Sequence, residues 1–150
     1  MMGSTAGADW QTVAVAAAYT LPTALVIIAL ARPLNTLAVG EETALYLGTD
    51  VERVKRIAFA AASLVTAAGV AVAGVIGFVG LVVPHALRLV VGSDHRILLP
   101  LCFLVGAAFL TTADTLARVI LSPTEIPIGV VTAFVGVPIF LVLLRRSTFR

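Results

Sequence analysis

Four uncharged stretches, Gln11 to Ala31, Ile57 to Leu87, Ile97 to Ala113 and Ile126 to Leu144, fix what this chain can fold into. Each is near or above the ~20 residues an α-helix needs to cross a hydrocarbon layer. Strands of a membrane barrel would alternate apolar and polar residues over about ten positions, and these runs do not alternate. Composition agrees: 60% of the residues are hydrophobic, 12% are charged, and the mean hydropathy is +1.10, outside the range of ordinary soluble domains. The expected fold is an all-α membrane protein, a polytopic helix bundle in one domain over residues 1–150. Asp9, and no basic residue ahead of it, argue against a cleaved signal peptide.

Basic residues count the crossings. Lys and Arg gather on the cytoplasmic side, close to the span ends. Placing Arg32, Arg53, Lys55, Arg56, Arg88, Arg96, Arg145, Arg146 and Arg150 inside satisfies that rule for all the Lys and Arg residues except Arg118. The arrangement requires about five spans, approximately 11–31 inward, 54–73 outward, 78–92 inward, 97–118 outward and 128–145 inward, with the C-terminus in the cytoplasm. Two spans must then share 57–91, so the second is short; Gly74, Gly77 and Gly80 offer a turn between them. Arg88 and Asp94-His95-Arg96 mark a cytoplasmic helix end and a short inner loop.

The one sizeable polar stretch is the loop 33–52. Pro33 is expected to stop the first helix, Glu41 to Leu47 to form a short helix with Gly48 just past its end, and Thr49 with Glu52 to make a capping box for the next. Leu34, Leu37, Leu45 and Leu47 give this cytoplasmic loop apolar faces, which point to a protein partner or to packing on the bundle itself.

Little else carries chemistry. His85 and His95 stand ten residues apart across a loop and match neither helical zinc spacing nor a finger, so no metal site is expected. The lone Cys102 forms no intramolecular disulfide. No G-x-x-x-x-G-K-[ST] is present to cradle ATP phosphates; the chain is expected to bind no cofactor itself and to be no enzyme, and its mild positive charge follows topology rather than nucleic acid. Gly69, Ala73 and Gly77, four apart, suggest a small-residue packing face. Asp114 and Arg118 stand i, i+4 on one helix with Thr111 and Thr115, a polar face either structural or turned to a water-filled path or the outer rim. Ser122, Pro123 and Glu125 suit the start of a short outer helix, and Pro127 and Gly129 then turn the chain back into the membrane.

Taken together, "GFVGLVVPHALRLVVGSDHRILLP", "GAAFLTTADTLAR", "EIPIGVVTAFVGVPIFLVLLRR" and "RPLNTLAVGEETALYLG" resemble the permease subunit of ATP-binding-cassette importers for iron-siderophores, haem and cobalamin, the FecCD-like family. The resemblance runs over nearly the whole chain, and such permeases have ten transmembrane helices, of which these are similar to the C-terminal five. It implies that Leu34 to Gly48, including Gly40 and Glu41, correspond to the coupling helices that dock on a cassette ATPase. It implies that Arg118 meets a glutamate of an extracytoplasmic substrate-binding protein, and that Pro84-His85 belongs to a family signature. The partners implied are that ATPase, which uses the ATP, the binding protein, a second permease copy and the N-terminal half, all in the inner membrane of a prokaryote. Two other readings stand beside it: half of a proton-coupled secondary transporter using Asp114, and an intramembrane enzyme uniting His85 with Asp114.

Overall fold

The structure, a computed structural model, describes residues 9–120, 129–134 and 136–138. Its elements are α1 Trp10–Ala29, α2 Ala31–Val39, α3 Glu41–Tyr46, α4 Val51–Ala73, α5 Val79–Val91 and α6 His95–Ile120. Residues 129–134 and 136–138 are also helical.

Asp9 caps α1, its carboxylate accepting from the Thr12 N–H at 2.8 Å. Pro22 lies inside α1 without an amide hydrogen to give, while the Thr23 hydroxyl donates to the Tyr19 carbonyl at 2.6 Å. The helix breaks at Leu30, which ends α1 and begins α2. Pro33 causes this from a distance: it has no N–H for the Ala29 carbonyl and its ring crowds that oxygen. Instead of stopping α1 at its own position, Pro33 occupies the first turn of α2, where a missing N–H costs nothing.

At Gly40 the backbone adopts φ 142°, ψ 146°, a conformation closed to side chains with a Cβ. It makes a sharp joint between α2 and α3. Leu47 follows α3 as its C-cap rather than its last residue. The capping box expected of Thr49 and Glu52 does not form. Asp50 caps α4 instead, accepting from the Arg53 N–H at 3.0 Å, because the Thr49 N–H is engaged with the Ala44 carbonyl at 2.9 Å and closes the exit from α3.

α1 packs along α4, α5 along α6, and α2 lies against α6, which also touches α1. The residues buried at these contacts are mostly small: Ala31, Ala44, Val51, Val54, Ala61, Val82, Val83, Ala113 and Ala117, with Leu98 the one large aliphatic side chain among them. Small residues let helix backbones approach, which is how helices associate where lipid removes the hydrophobic drive. Larger apolar side chains such as Leu25, Phe59, Leu104 and Val119 point outward, as a lipid-facing surface requires.

α1, α4 and residues His95–Val119 of α6 are each long and apolar enough to cross a membrane. α5 is apolar but has 13 residues, roughly 20 Å of rise against a core of about 30 Å. The segment expected to span 128–145 is helical at 129–134 and 136–138, and its remainder lies outside the described residues, as do Pro127, the Ser122 to Glu125 turn and the arginines at 145, 146 and 150. Gly74 ends α4 and Gly77 lies in the turn, but Gly80 already belongs to α5. Gly77 does not continue the expected Gly69–Ala73–Gly77 face, since α4 stops at Ala73, and among the described residues nothing stands within 4 Å of a Cβ placed at Gly69 or Gly77.

Candidate functional site

The α2–α3 segment divides into two faces. Leu34 and Leu37 are half-buried and Ala44 is fully buried, so this side is packed on the bundle. Val39, Leu45, Tyr46 and Leu47 form the other side, 61% exposed or more. Of the four leucines expected to seek a partner, Leu45 and Leu47 lie on the open face; Leu34 and Leu37 do not present an open surface. Val39 and Tyr46 join it: Val39 ends a helix over 31–39 that the local sequence pattern does not announce, and Tyr46 ends the expected α3 but is not one of its leucines. Glu41 is bound to Lys55 of α4 by an ion pair, which fixes the start of α3 beside the start of α4. Gly40 and Gly48 bound α3, both at positive φ.

A second cluster sits where α2 meets the corner between α5 and α6. The Asn35 amide donates to Asp94 Oδ1 at 2.6 Å, and its carbonyl oxygen accepts from the His95 N–H at 2.8 Å. His95 Nδ1 lies 2.6 Å from the same oxygen, so Nδ1 carries a proton and donates. Asp94 Oδ1 also accepts from the Arg96 N–H at 2.9 Å, and the Asp94 carbonyl from the Leu98 N–H at 2.9 Å. Asp94 is thus the cap of α6. The Arg96 N–H, then the Asn35 amide, hold its carboxyl below the usual carboxylate range, with the Arg96 and His95 charges acting in the same direction. Asp94, His95 and Arg96, expected in one inner loop, are instead the cap and the first two residues of α6, because the Asp94 carboxylate starts the helix there; nothing in the sequence marks Asn35, whose partners lie 59 and 60 residues away. Arg88 is exposed in the last turn of α5.

At the far end of α6, Arg118 Nε donates to Asp114 Oδ2 at 2.9 Å. The hydroxyls of Thr111 and Thr115 donate to the carbonyls of Ala107 and Thr111, at 2.9 and 2.8 Å, so they serve the helix rather than extend the ion pair. His85, half-buried on α5 next to Pro84, has no hydrogen bond or ion pair to Asp114 among the described residues. Nor do the described residues contain three His, Cys, Asp or Glu side chains placed to hold a metal ion. Gly129 comes against the α4–α5 turn, where a Cβ would stand 3.4 Å from the Val75 carbonyl oxygen. An apolar groove of about 830 Å³ opens there, where Gly77 and Phe78 face Val130 and Phe134.

The chain thus carries an exposed apolar α2–α3 segment beside the start of α4 and an ion pair near the far end of α6. The chain is 53% identical over 150 residues to the cobalamin import system permease protein BtuC of Halobacterium salinarum, covering 100% of this chain and 40% of that one. It is 48% identical over 146 residues to the hemin transport system permease protein HmuU of Yersinia pestis, covering 97% and 44%. A solved metal-chelate type ABC transporter in an inward-facing conformation superposes with a TM-score of 0.88 at 38% identity, over 97% of this chain and 47% of that one. The chain therefore spans less than half the length of these relatives. They give no support to a proton-driven carrier working through Asp114. The profile of the FecCD transport family matches residues 1–146, and the chain belongs to that family.

Proposed function

We propose that this chain is the C-terminal part of the permease of an ATP-driven importer whose cargo is cobalamin, haem or an iron-siderophore. Family membership supports this reading, and the observation that carries it is the open apolar face of Val39, Leu45, Tyr46 and Leu47 on a segment anchored to three membrane helices. Such a surface in water favours a protein partner. The partner is a cassette ATPase, which binds and hydrolyses the ATP; the permease performs no covalent chemistry and holds no cofactor. The α2–α3 face then lies in the cytoplasm and Arg118 outside, beside an extracytoplasmic binding protein. The N-terminal five helices and a second permease copy complete the path in a prokaryotic inner membrane, and the C-terminus is cytoplasmic.

Pull-down with the cognate cassette ATPase tests this. Binding is expected for the unsubstituted permease and is expected to be lost on Leu47→Asp or on Tyr46→Asp, with membrane insertion unchanged. ATPase binding that survives both substitutions would remove the α2–α3 face from the interface.

A further inference from the structure

We propose that Asn35 is a positioning residue that makes α2 and the inner end of α6 move as one body, so that displacement of the α2–α3 segment is delivered to α6 rather than to α1. The inference rests on the importer reading above.

Three observations carry it. First, α2 is jointed at both ends. The chain breaks at Leu30, where Pro33 denies the Ala29 carbonyl its helical partner, and again at Gly40 with φ 142°. Although α2 follows α1 in sequence, it is not its rigid continuation. Second, α2 is fastened to α6. One Asn35 side chain makes three short polar contacts, with Asp94 Oδ1 and with both the N–H and Nδ1 of His95. These partners are the cap and first residue of α6, so the side chain completes the capping of that helix. Leu98, one turn along α6, is 2% exposed, so this end of α6 is packed within the bundle. Third, α6 stays helical for 26 residues, through Pro100 in its second turn, roughly 39 Å at 1.5 Å per residue, with the Asp114–Arg118 pair near its other end. Pro100 removes one hydrogen bond of the ladder, but the helix is not interrupted there, so a shift imposed on its inner end is carried along it. Packed interfaces of this kind shift between discrete arrangements instead of deforming smoothly.

The donors and acceptors also specify a reciprocal test. Asn35 needs a donor toward residue 94 and an acceptor toward His95. Asn35→Asp leaves two carboxylates facing each other, whereas Asn35→Asp combined with Asp94→Asn restores one donor and one acceptor with their order exchanged.

In the complete permease–ATPase assembly in lipid nanodiscs, with Cys102→Ser, spin labels are placed at exposed Val15 on α1 and Val119 on α6. Their separation is measured with and without ATP and vanadate. The unsubstituted permease is expected to change this distance on trapping the nucleotide. Asn35→Leu and Asn35→Asp are expected to abolish the change while ATPase binding and hydrolysis rate stay within twofold, and the exchanged pair is expected to restore it. A full distance change in Asn35→Leu overturns the proposal, as does an exchanged pair that stays silent while folded and ATPase-bound. Failure of the unsubstituted permease to bind the ATPase at all overturns the importer reading together with it.

Discussion

Phe78 and Gly136 meet so closely that a Cβ at position 136 would lie 2.6 Å from the Phe78 Cβ and 3.1 Å from its Cγ. Phe78 is also the one described non-glycine residue at positive φ, 67°, where it starts α5 directly after the α4–α5 turn. A left-handed backbone costs a side-chain-bearing residue about 1–2 kcal/mol. The contact with Gly136 supplies a reason for Phe78 to stay there: the ring reaches a neighbouring helix only because that helix has no side chain at the point of approach. Gly136→Ala is expected to destabilise the folded protein by roughly 1–3 kcal/mol through overpacking against the Phe78 side chain. Phe78→Gly in the Gly136→Ala background is expected to recover most of the loss, since it removes both the clash and the strained φ. Thermal unfolding in detergent of the single and double variants measures the coupling; an additive double variant would show that the two residues do not constrain each other.

The entry into α4 gives a second test. Asp50, not Thr49, accepts from the Arg53 N–H at 3.0 Å, and its carboxylate also faces the positive end of the helix dipole. Asp50→Ala is expected to cost about 0.5–2 kcal/mol, the usual range for a lost N-cap. Thr49→Ala is expected to cost a few tenths, because the contribution of Thr49 is its backbone N–H to Ala44, which alanine keeps. The ranking of the two variants by thermal unfolding decides between the caps, and a larger loss for Thr49→Ala would return the box to Thr49 and Glu52.

That pair also shows where sequence reading stops. Thr49 and Asp50 are adjacent, both are good cap residues, and the Glu52 three residues beyond Thr49 tips a local pattern toward the wrong one. The choice is made by Ala44, which is buried and draws the Thr49 amide into the exit from α3. Long apolar runs need no such context: helices expected at 11–31 and 97–118 from hydropathy, and at 54–73 once the basic residues and Gly74 divide the run from Ile57 to Leu87, fall at Trp10–Ala29, His95–Ile120 and Val51–Ala73. α2 was not legible, because a nine-residue helix with a proline in its first turn owes its existence to packing on α6. Asn35 was invisible for the same kind of reason: its partners are set by tertiary contact, and an asparagine beside a proline reads locally as a turn residue. Gly77 differs in the opposite direction: its spacing with Gly69 and Ala73 implies one helix face, but α4 ends at Ala73 and leaves Gly77 in the turn.

Arg118 offers a test that separates a structural pair from a docking residue. Its bond to Asp114 is i, i+4 and its side chain is 50% exposed, so the pair stabilises the helix by only about 0.3–0.5 kcal/mol. Arg118→Glu is therefore expected to leave insertion and thermal stability nearly unchanged. It is expected to weaken docking of the substrate-binding protein by roughly tenfold or more, about 1.4 kcal/mol per factor of ten, because a favourable charge contact becomes a repulsive one. Asp114→Asn, which keeps the arginine, is expected to affect docking much less. Surface plasmon resonance on nanodisc-embedded permease reads both, and added salt is expected to narrow the difference between Arg118→Glu and the unsubstituted protein. Equal affinities for the two would remove Arg118 from the docking contact.

The junction of α2 with α6 predicts a dependence on acidity. The Asp94 carboxyl is held below its ordinary range chiefly by the Arg96 N–H and then by the Asn35 amide, so its ionised form is favoured in the folded state. A depressed carboxyl contributes stability that is fully present above the unfolded carboxylate value, near 3.9, and is lost as the pH falls through the lower folded value. The contribution of the Asp94 carboxylate is therefore expected to be constant from neutrality down to about 4 and to be lost below it. Protonation weakens the Asp94 carboxylate as acceptor for the Arg96 N–H and the Asn35 amide, so the Arg96 amide is the one to watch, while the Leu98 N–H, bonded to the Asp94 backbone carbonyl, serves as an internal control. Hydrogen exchange at the Arg96 amide, corrected for the intrinsic pH dependence of exchange, is expected to accelerate in the unsubstituted protein below that point. In Asp94→Asn, whose side chain does not titrate, the acceleration is expected to vanish. An identical acid response in both proteins would mean that another group, not the Asp94 carboxylate, holds α2 to α6.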